Sequence, residues 1–133
     1  KAMARIGGGR MRKMLFRGKR KDNGEWIMSS DICQPDYDEV YLWAHGNWTE
    51  VYSETVGQYT GLSDKNGKEI FEGDIVKGND TSEKSVKVCG YIDFMNGSYV
   101  VVGDLITHYR WIDYKLEVIG NIHDTPELLG AEG

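Results

Sequence analysis

Proline and cysteine are scarce in this chain, with two of each among 133 residues. So little proline, beside 40% hydrophobic and 28% charged residues and no low-complexity tract, excludes a disordered or linker-like protein. Cys33 and Cys89 are too few to staple a fold that is long enough to bury its own core. They read as buried or incidental thiols rather than as a disulfide. No apolar run approaches the length of a membrane span. Met11-Arg12-Lys13-Met14-Leu15-Phe16 is followed at once by charge, without the apolar stretch of a secretory leader. A cytoplasmic location and no membrane partner are therefore expected.

Motifs that carry chemistry are also lacking. The three histidines, His45, His108 and His123, lie far apart and match no metal-ligand spacing, so no metal and no cofactor are expected. There is no G-x-S-x-G around a nucleophile, and Cys33 and Cys89 read as inert small residues rather than as reactive thiols. Gly57-Gln58-Tyr59-Thr60-Gly61 is neither a dinucleotide fingerprint nor a phosphate loop, and no long helix follows it. Carboxylates are plentiful, which makes pairs of them uninformative. Glu72 and Asp74 flank Gly73, where Asp74 is expected to make a turn hydrogen bond. The reading is of a protein that is not an enzyme, with no catalytic residue to name.

What the chain does have is a sharp charge asymmetry. Residues 1–21 carry nine Lys or Arg and no acid, whereas the rest carries seven basic residues against all twenty-one acids. Residues 1–10 contain a Gly-Gly-Gly spacer and no pattern. They read as an expression or cleavage scar without fixed structure. From Met11 on the asymmetry is weaker but persists. Twelve of the fifteen aromatic residues are Trp or Tyr, which favours β structure.

Turn signals divide the chain into short strands. Asn23-Gly24 closes a first hairpin from Lys13 to Met28, and His45-Gly46 joins Val40–Ala44 to Asn47–Tyr52. Between them Ser29 to Glu39, with Pro35 and clustered acids, reads as an acidic loop or a marginal helix. Further on, Val86, Val88, Ile92 and Phe94 alternate with Lys87, Cys89, Tyr91 and Asp93. A turn at Asn96-Gly97 would set Phe94 opposite Tyr99 and Ile92 opposite Val101. Five strands are expected after Thr55: Val56–Thr60, Glu69–Val76, Val86–Phe94, Tyr99–Gly103 and Leu116–Ile122. Thr125-Pro126-Glu127-Leu128-Leu129 then starts a single helical turn, with Thr125 as its N-cap. The fold class is mainly β: N-terminal hairpins in 11–55, packed on a small SH3-like barrel or a bent sheet in 56–129.

The strongest motif is the block from Thr55 to Val76, with Val56-Gly57-Gln58-Tyr59-Thr60-Gly61-Leu62 and then Asp64-Lys65-Asn66-Gly67-Lys68-Glu69-Ile70-Phe71-Glu72-Gly73-Asp74-Ile75-Val76. Taken with Phe16-Arg17, Asp22-Asn23-Gly24-Glu25-Trp26, Glu117-Val118-Ile119-Gly120-Asn121-Ile122 and Pro126-Glu127-Leu128-Leu129, it resembles the YopX family of small phage and prophage proteins. The resemblance spans Met11 to Leu129. It implies a mostly β protein of phage or prophage origin in a bacterial host cell, with no established activity and no site residue to carry over.

Two surfaces then compete for a role. Arg12, Lys13, Arg17, Lys19, Arg20 and Lys21 lie on one hairpin with Trp26 after its turn, a pattern able to contact phosphates and stack a base. The acidic body opposes a polyanion, and a solvated basic strand edge accounts for the same cations. Tyr41, Trp43, Trp48 and Tyr52 on the second hairpin are residue types enriched at interface hot spots, although at least half of them are expected in the core. A basic arm on an acidic body is self-complementary. The leading expectation is therefore a non-enzymatic accessory protein that acts by protein–protein contact, as a homo-oligomer or with a host or phage protein. A nucleic-acid-binding module built on the basic hairpin is the alternative.

Overall fold

A computed structural model describes residues 5–6, 9–10, 13–80, 87–103, 107–108 and 114–131. Part of the 1–10 segment, together with Met11, Arg12, Ser85 and Val86, lies outside the described residues. Arg5–Ile6 (β1) and Gly9–Arg10 (β2) form a two-rung antiparallel ladder of their own. From Phe16 onward the chain builds three antiparallel sheets.

The first hairpin pairs Phe16–Lys19 (β3) with Trp26–Ser29 (β4), setting Arg17 opposite Met28 and Lys19 opposite Trp26. Ile32–Asp36 (β5), Glu39–Ala44 (β6) and Asn47–Val51 (β7) make a three-stranded sheet. His45 and Gly46, at φ 54° and 82°, form the turn between β6 and β7, and both positions demand the left-handed region. The segment expected as an acidic loop or marginal helix is thus an edge strand over Ile32–Asp36. Pro35 is tolerated because the pairing is irregular between Cys33 and Asp36 and only one side of β5 is bonded among the described residues.

After a 3₁₀ turn at Ser53–Thr55, Gly57–Ser63 (β8) returns to pair with β3 and with Glu69–Phe71 (β9), which completes a four-stranded sheet in the order β4-β3-β8-β9. The single strand expected from Glu69 to Val76 is broken by a corner at Gly73 (φ 89°), and Asp74–Asp80 (β10) leaves in a new sheet. That sheet has the order β13-β12-β11-β10-β14. It adds Lys87–Met95 (β11), Ser98–Val102 (β12), Thr107–His108 (β13) and Tyr114–Asn121 (β14). Phe94 stands opposite Tyr99 and Ile92 opposite Val101, the register that a two-residue turn at Asn96-Gly97 dictates.

The mainly β architecture matches expectation, and the C-terminal sheet takes the open, bent form. It does not close as a barrel. β8 and β9, two of the strands expected to close one, are drawn into the sheet with β3 instead. The helical turn is short, Leu128–Ala131 (α1), and Thr125 does not cap it. The Thr125 hydroxyl bonds back to the main chain of Asn121, donating to its carbonyl and accepting from its N–H, both at 3.1 Å.

Two cores result. Ile27, Val40, Leu42 and Val51 lie between the hairpin and the three-stranded sheet. Ile70, Val76, Val88, Ile92, Val101 and Leu116 lie between β9 and the five-stranded sheet. The four-stranded sheet contributes to both, so it is the bridge of the molecule. Asp64 fastens its far end. One carboxylate oxygen accepts the N–H groups of Asn66 and Lys68, at 2.8 and 2.9 Å, and the other accepts that of Val118 on β14, at 3.0 Å. Burial pushes the Asp64 carboxyl up, but these three N–H groups outweigh it and hold it below the usual carboxylate range.

Asp64→Ala would strand all three donors and should cost about 2–3 kcal/mol of stability, read as a lower denaturant midpoint. An unchanged midpoint would mean that solvent replaces the carboxylate at no cost.

Candidate functional site

Alternation along β3 decides where the hairpin cations go. Gly18 faces the first core, where a side chain would stand 3.0 Å from a Val51 methyl, so Arg17 and Lys19 project from the opposite face. Trp26 lies opposite Lys19 on that face. There Arg17 Nη2 meets Asp74 Oδ1 at 2.7 Å, and the two side chains are only 11% and 2% exposed. The guanidinium lies over the rings of Trp26 and Phe71, 4.8 and 4.9 Å from their centroids, and donates to the Glu72 carbonyl at 3.2 Å. Gly57, paired with Arg17 across the strands, makes this approach feasible, because a Cβ there would stand 2.7 Å from the Glu72 carbonyl oxygen.

Charge and rings alternate outward from that centre. Lys13 bonds Glu69 at 2.6 Å and lies over Tyr59; Lys19 bonds Asp124 at 2.5 Å and lies over Trp26. The Trp26 indole N–H donates to the same Asp124 carboxylate at 2.7 Å. Arg20 pairs with Asp22 at 2.7 Å, and Lys21 pairs with Glu50 at 2.9 Å while lying over Tyr52. Each hairpin cation from Lys13 to Lys21 therefore has a carboxylate of its own chain.

The buried acids respond to these surroundings. Burial pushes the Asp74 carboxyl up, against the pull of Arg17 and of the Phe71 N–H, which donates to it at 2.8 Å. That bond is the turn hydrogen bond expected of Asp74. Burial also raises Glu72, whose oxygen accepts the Gln58 N–H at 2.6 Å. The Lys19 ammonium, then the Trp26 N–H, hold Asp124 down at about 2. His123, packed against Trp26, is lowered by burial and by the nearby Arg17 charge. Among the described residues no group of three or more His, Cys, Asp or Glu side chains is placed to hold a metal ion.

The second surface is the outer face of the three-stranded sheet. Val40 and Leu42 of β6 point into the core, which leaves Tyr41 and Trp43 outside. Trp43 faces Trp48 across the strands, and their rings meet edge to face at 5.4 Å and 78°. Trp43, Trp48 and Tyr52 are 43%, 48% and 40% exposed. Tyr41 is half-buried and donates its hydroxyl to Glu39 at 2.7 Å; that bond, then burial, pushes its pKa up to about 12.

A family model described as YopX protein matches residues 15–130. The chain belongs to the YopX family. No curated protein matches it. Among solved structures it is similar to protein EF1440 from Enterococcus faecalis, at 26% identity and a TM-score of 0.54, over 90% of this chain and 99% of that one. Neither comparison indicates a catalytic activity.

In this YopX-family chain the residues singled out from sequence are brought together in two groups. Lys13, Arg17, Lys19 and Trp26 share one face with Tyr59 and Phe71, Arg20 and Lys21 lie at the turn, and Arg12 lies outside the described residues. Tyr41, Trp43, Trp48 and Tyr52 share the other surface, and none is in the core where half were expected, because the strand parity that buries Val40, Leu42 and Val51 turns them outward. Cys33 is exposed and Cys89 half-buried, both as free thiols, which matches the expectation of buried or incidental thiols rather than a disulfide. Sequence reasoning missed Asp124 and His123 as partners of the hairpin. The only signal was an acid following the last strand, one of twenty-one in the chain. No described helix is long and apolar enough to cross a membrane, which leaves strand-built spans unaddressed.

Arg17→Met should cost about 3–5 kcal/mol, because it leaves Asp74 buried without a counter-charge. Adding Asp74→Asn should recover part of that loss, so a urea double-mutant cycle should show strong coupling; additive costs would mean the pair does not interact. Because folding holds Asp124 at about 2, below its ordinary 3.8, its contribution is complete above 3.8 and fades as pH falls toward 2. The melting-temperature gap between wild type and Asp124→Asn should therefore close across that window. A gap constant with pH would show that the carboxylate charge contributes nothing.

Proposed function

We propose that this YopX-family protein is a non-enzymatic accessory protein of a phage or prophage. It acts by protein–protein contact in the cytoplasm of its bacterial host and self-associates through the outer face of the β5–β6–β7 sheet. The observation that carries this reading is the exposed edge-to-face pair of Trp43 and Trp48, with Tyr52 on the same face. Rings of this size gain most from being removed from water, and Trp and Tyr dominate interface hot spots.

A second copy suits this face because most of its charge is already matched. Lys21 neutralises Glu50, which leaves Glu39, held by the Tyr41 hydroxyl, as a carboxylate still charged beside the rings. The adjacent edge of β5 is a poor contact by comparison. Pro35 removes a donor, and Asp36 places a charge on the strand. The alternative, nucleic-acid binding through Arg12, Lys13, Arg17, Lys19, Arg20, Lys21 and Trp26, is less supported. The described cations of that set already hold carboxylates, and a phosphate would have to displace them.

Sedimentation over a concentration series should give a mass above the 15.1 kDa monomer. Trp43→Ser/Trp48→Ser should return it to the monomer with an unchanged circular dichroism spectrum. Wild type that stays monomeric throughout would sink the self-association reading. A low-salt gel shift lost on Lys19→Ala/Arg20→Ala would favour the nucleic-acid alternative.

A further inference from the structure

The cations that lack a carboxylate collect elsewhere in the molecule. Among the described residues Lys68, Lys77, Lys87 and Lys115 have no ion pair, whereas the hairpin cations pair at 2.5–2.9 Å. Three of those four lie on one face of the five-stranded sheet. Lys77 on β10 stands opposite Cys89 on β11 and Glu117 on β14, while Asn79 stands opposite Lys87 on β11 and Lys115 on β14. Directly opposed residues of antiparallel strands share a face, so Lys77, Lys87 and Lys115 project together from three adjoining strands. Lys65 joins them from the turn after β8, where its N–H bonds the Leu116 carbonyl at the outer edge of β14.

Three of these lysines border a cleft of about 270 Å³, lined by Lys65, Lys77, Asn79, Lys87 and Glu117 and reaching in to buried Val88. Among the described residues Glu117 is the only acid in the lining, and it lies 3.9 Å from Lys65. The cleft is thus a local excess of positive charge on a chain whose formal net charge is −5. Like charges gathered on adjoining strands repel one another, and a bound anion removes that repulsion.

We propose that this cleft binds a phosphate-bearing anion. Several point charges on flexible stems suit a multiply charged oxyanion, because each ammonium brings three donors that rotate to meet it. The volume lies just below the usual range for drug-sized ligands, about 300–1,000 Å³, and has room for a phosphate group or a short polyphosphate; the lysines, not the volume, select for the anion. The same chemistry is offered by free polyphosphate and by the backbone of a single strand, and the acidic body disfavours the longer polyanion.

The test is calorimetric titration of the full chain at low salt with sodium tripolyphosphate and, separately, with a single-stranded oligonucleotide. Tripolyphosphate should bind, raise the melting temperature and lose affinity as salt is added. Lys77→Gln/Lys87→Gln should weaken it roughly tenfold, while Lys19→Gln/Arg20→Gln leaves it unchanged. Both lysines are exposed, so the variant should melt as wild type does without ligand, and Lys87→Gln alone serves if it does not. Oligonucleotide binding that depends on the same two lysines would make a nucleic-acid strand the source of the phosphate. If neither probe binds, or if the double variant binds as wild type does, the proposal is overturned.

Discussion

The ion pair between Arg17 and Asp74 is the constraint around which the junction of the sheets is arranged. Arg17 comes from the first long strand, and Asp74 opens the strand that leads into the second sheet, so the pair ties the two together. Taking both charges out of water is expensive, and their attraction alone does not reliably offset that expense. The surrounding residues supply the remainder. Asp74 also receives the Phe71 N–H, while Arg17 has two ring faces and the Glu72 carbonyl. The Arg17 Nε has no hydrogen-bond partner, so the satisfaction is incomplete and the rings bear part of it. The neighbouring glycines follow from the same need. Gly57 admits the Glu72 carbonyl, and Gly73 makes the corner that aims Asp74 back at Arg17.

With that pair in place, the charge asymmetry of the sequence takes on a different meaning. A run of cations at one end and acids through the rest suggests a basic surface beside an acidic one. In the folded protein the run is distributed over a strand and a turn, and each described cation finds an acid, Arg20 from its own turn and the others from distant segments. The cationic surface that remains open is on β10, β11 and β14, assembled from lysines that are isolated in sequence.

What could be read from sequence was whatever local chemistry decides. Asn96-Gly97 admits the left-handed conformation at both positions of a tight turn, and the alternation beside it admits one register, so the pairing of Ile92 with Val101 follows without tertiary information. Ile32–Asp36 was not legible, because proline and clustered acids signal a loop unless an exposed edge is there to tolerate them. That no barrel closes was not legible either. Whether β8 joins β3 or the C-terminal strands depends on the Arg17 junction, which no local pattern encodes. For Tyr41 and Trp43, even spacing placed them on one face but not on which one; Val40 and Leu42 alternate with them and compete equally well for the core. Asp124, the partner of Lys19 and Trp26, had no sequence signal that set it apart from the other acids.

The bonds to Asp124 also bear on the order in which the chain can fold. Lys19 and Trp26 meet a residue 105 and 98 positions away in sequence. Closing so large a loop carries an entropic cost before any contact in it is rewarded, and topologies dominated by such contacts fold slowly. The first hairpin can form early, since its own strands are adjacent, yet Lys19 and Trp26 on its charged face lack their carboxylate until the segment after the last strand is in place. During synthesis Lys19 and the Trp26 indole N–H therefore wait for Asp124 while 105 and 98 residues follow them. The segment after β14 is a clasp, and it shuts last.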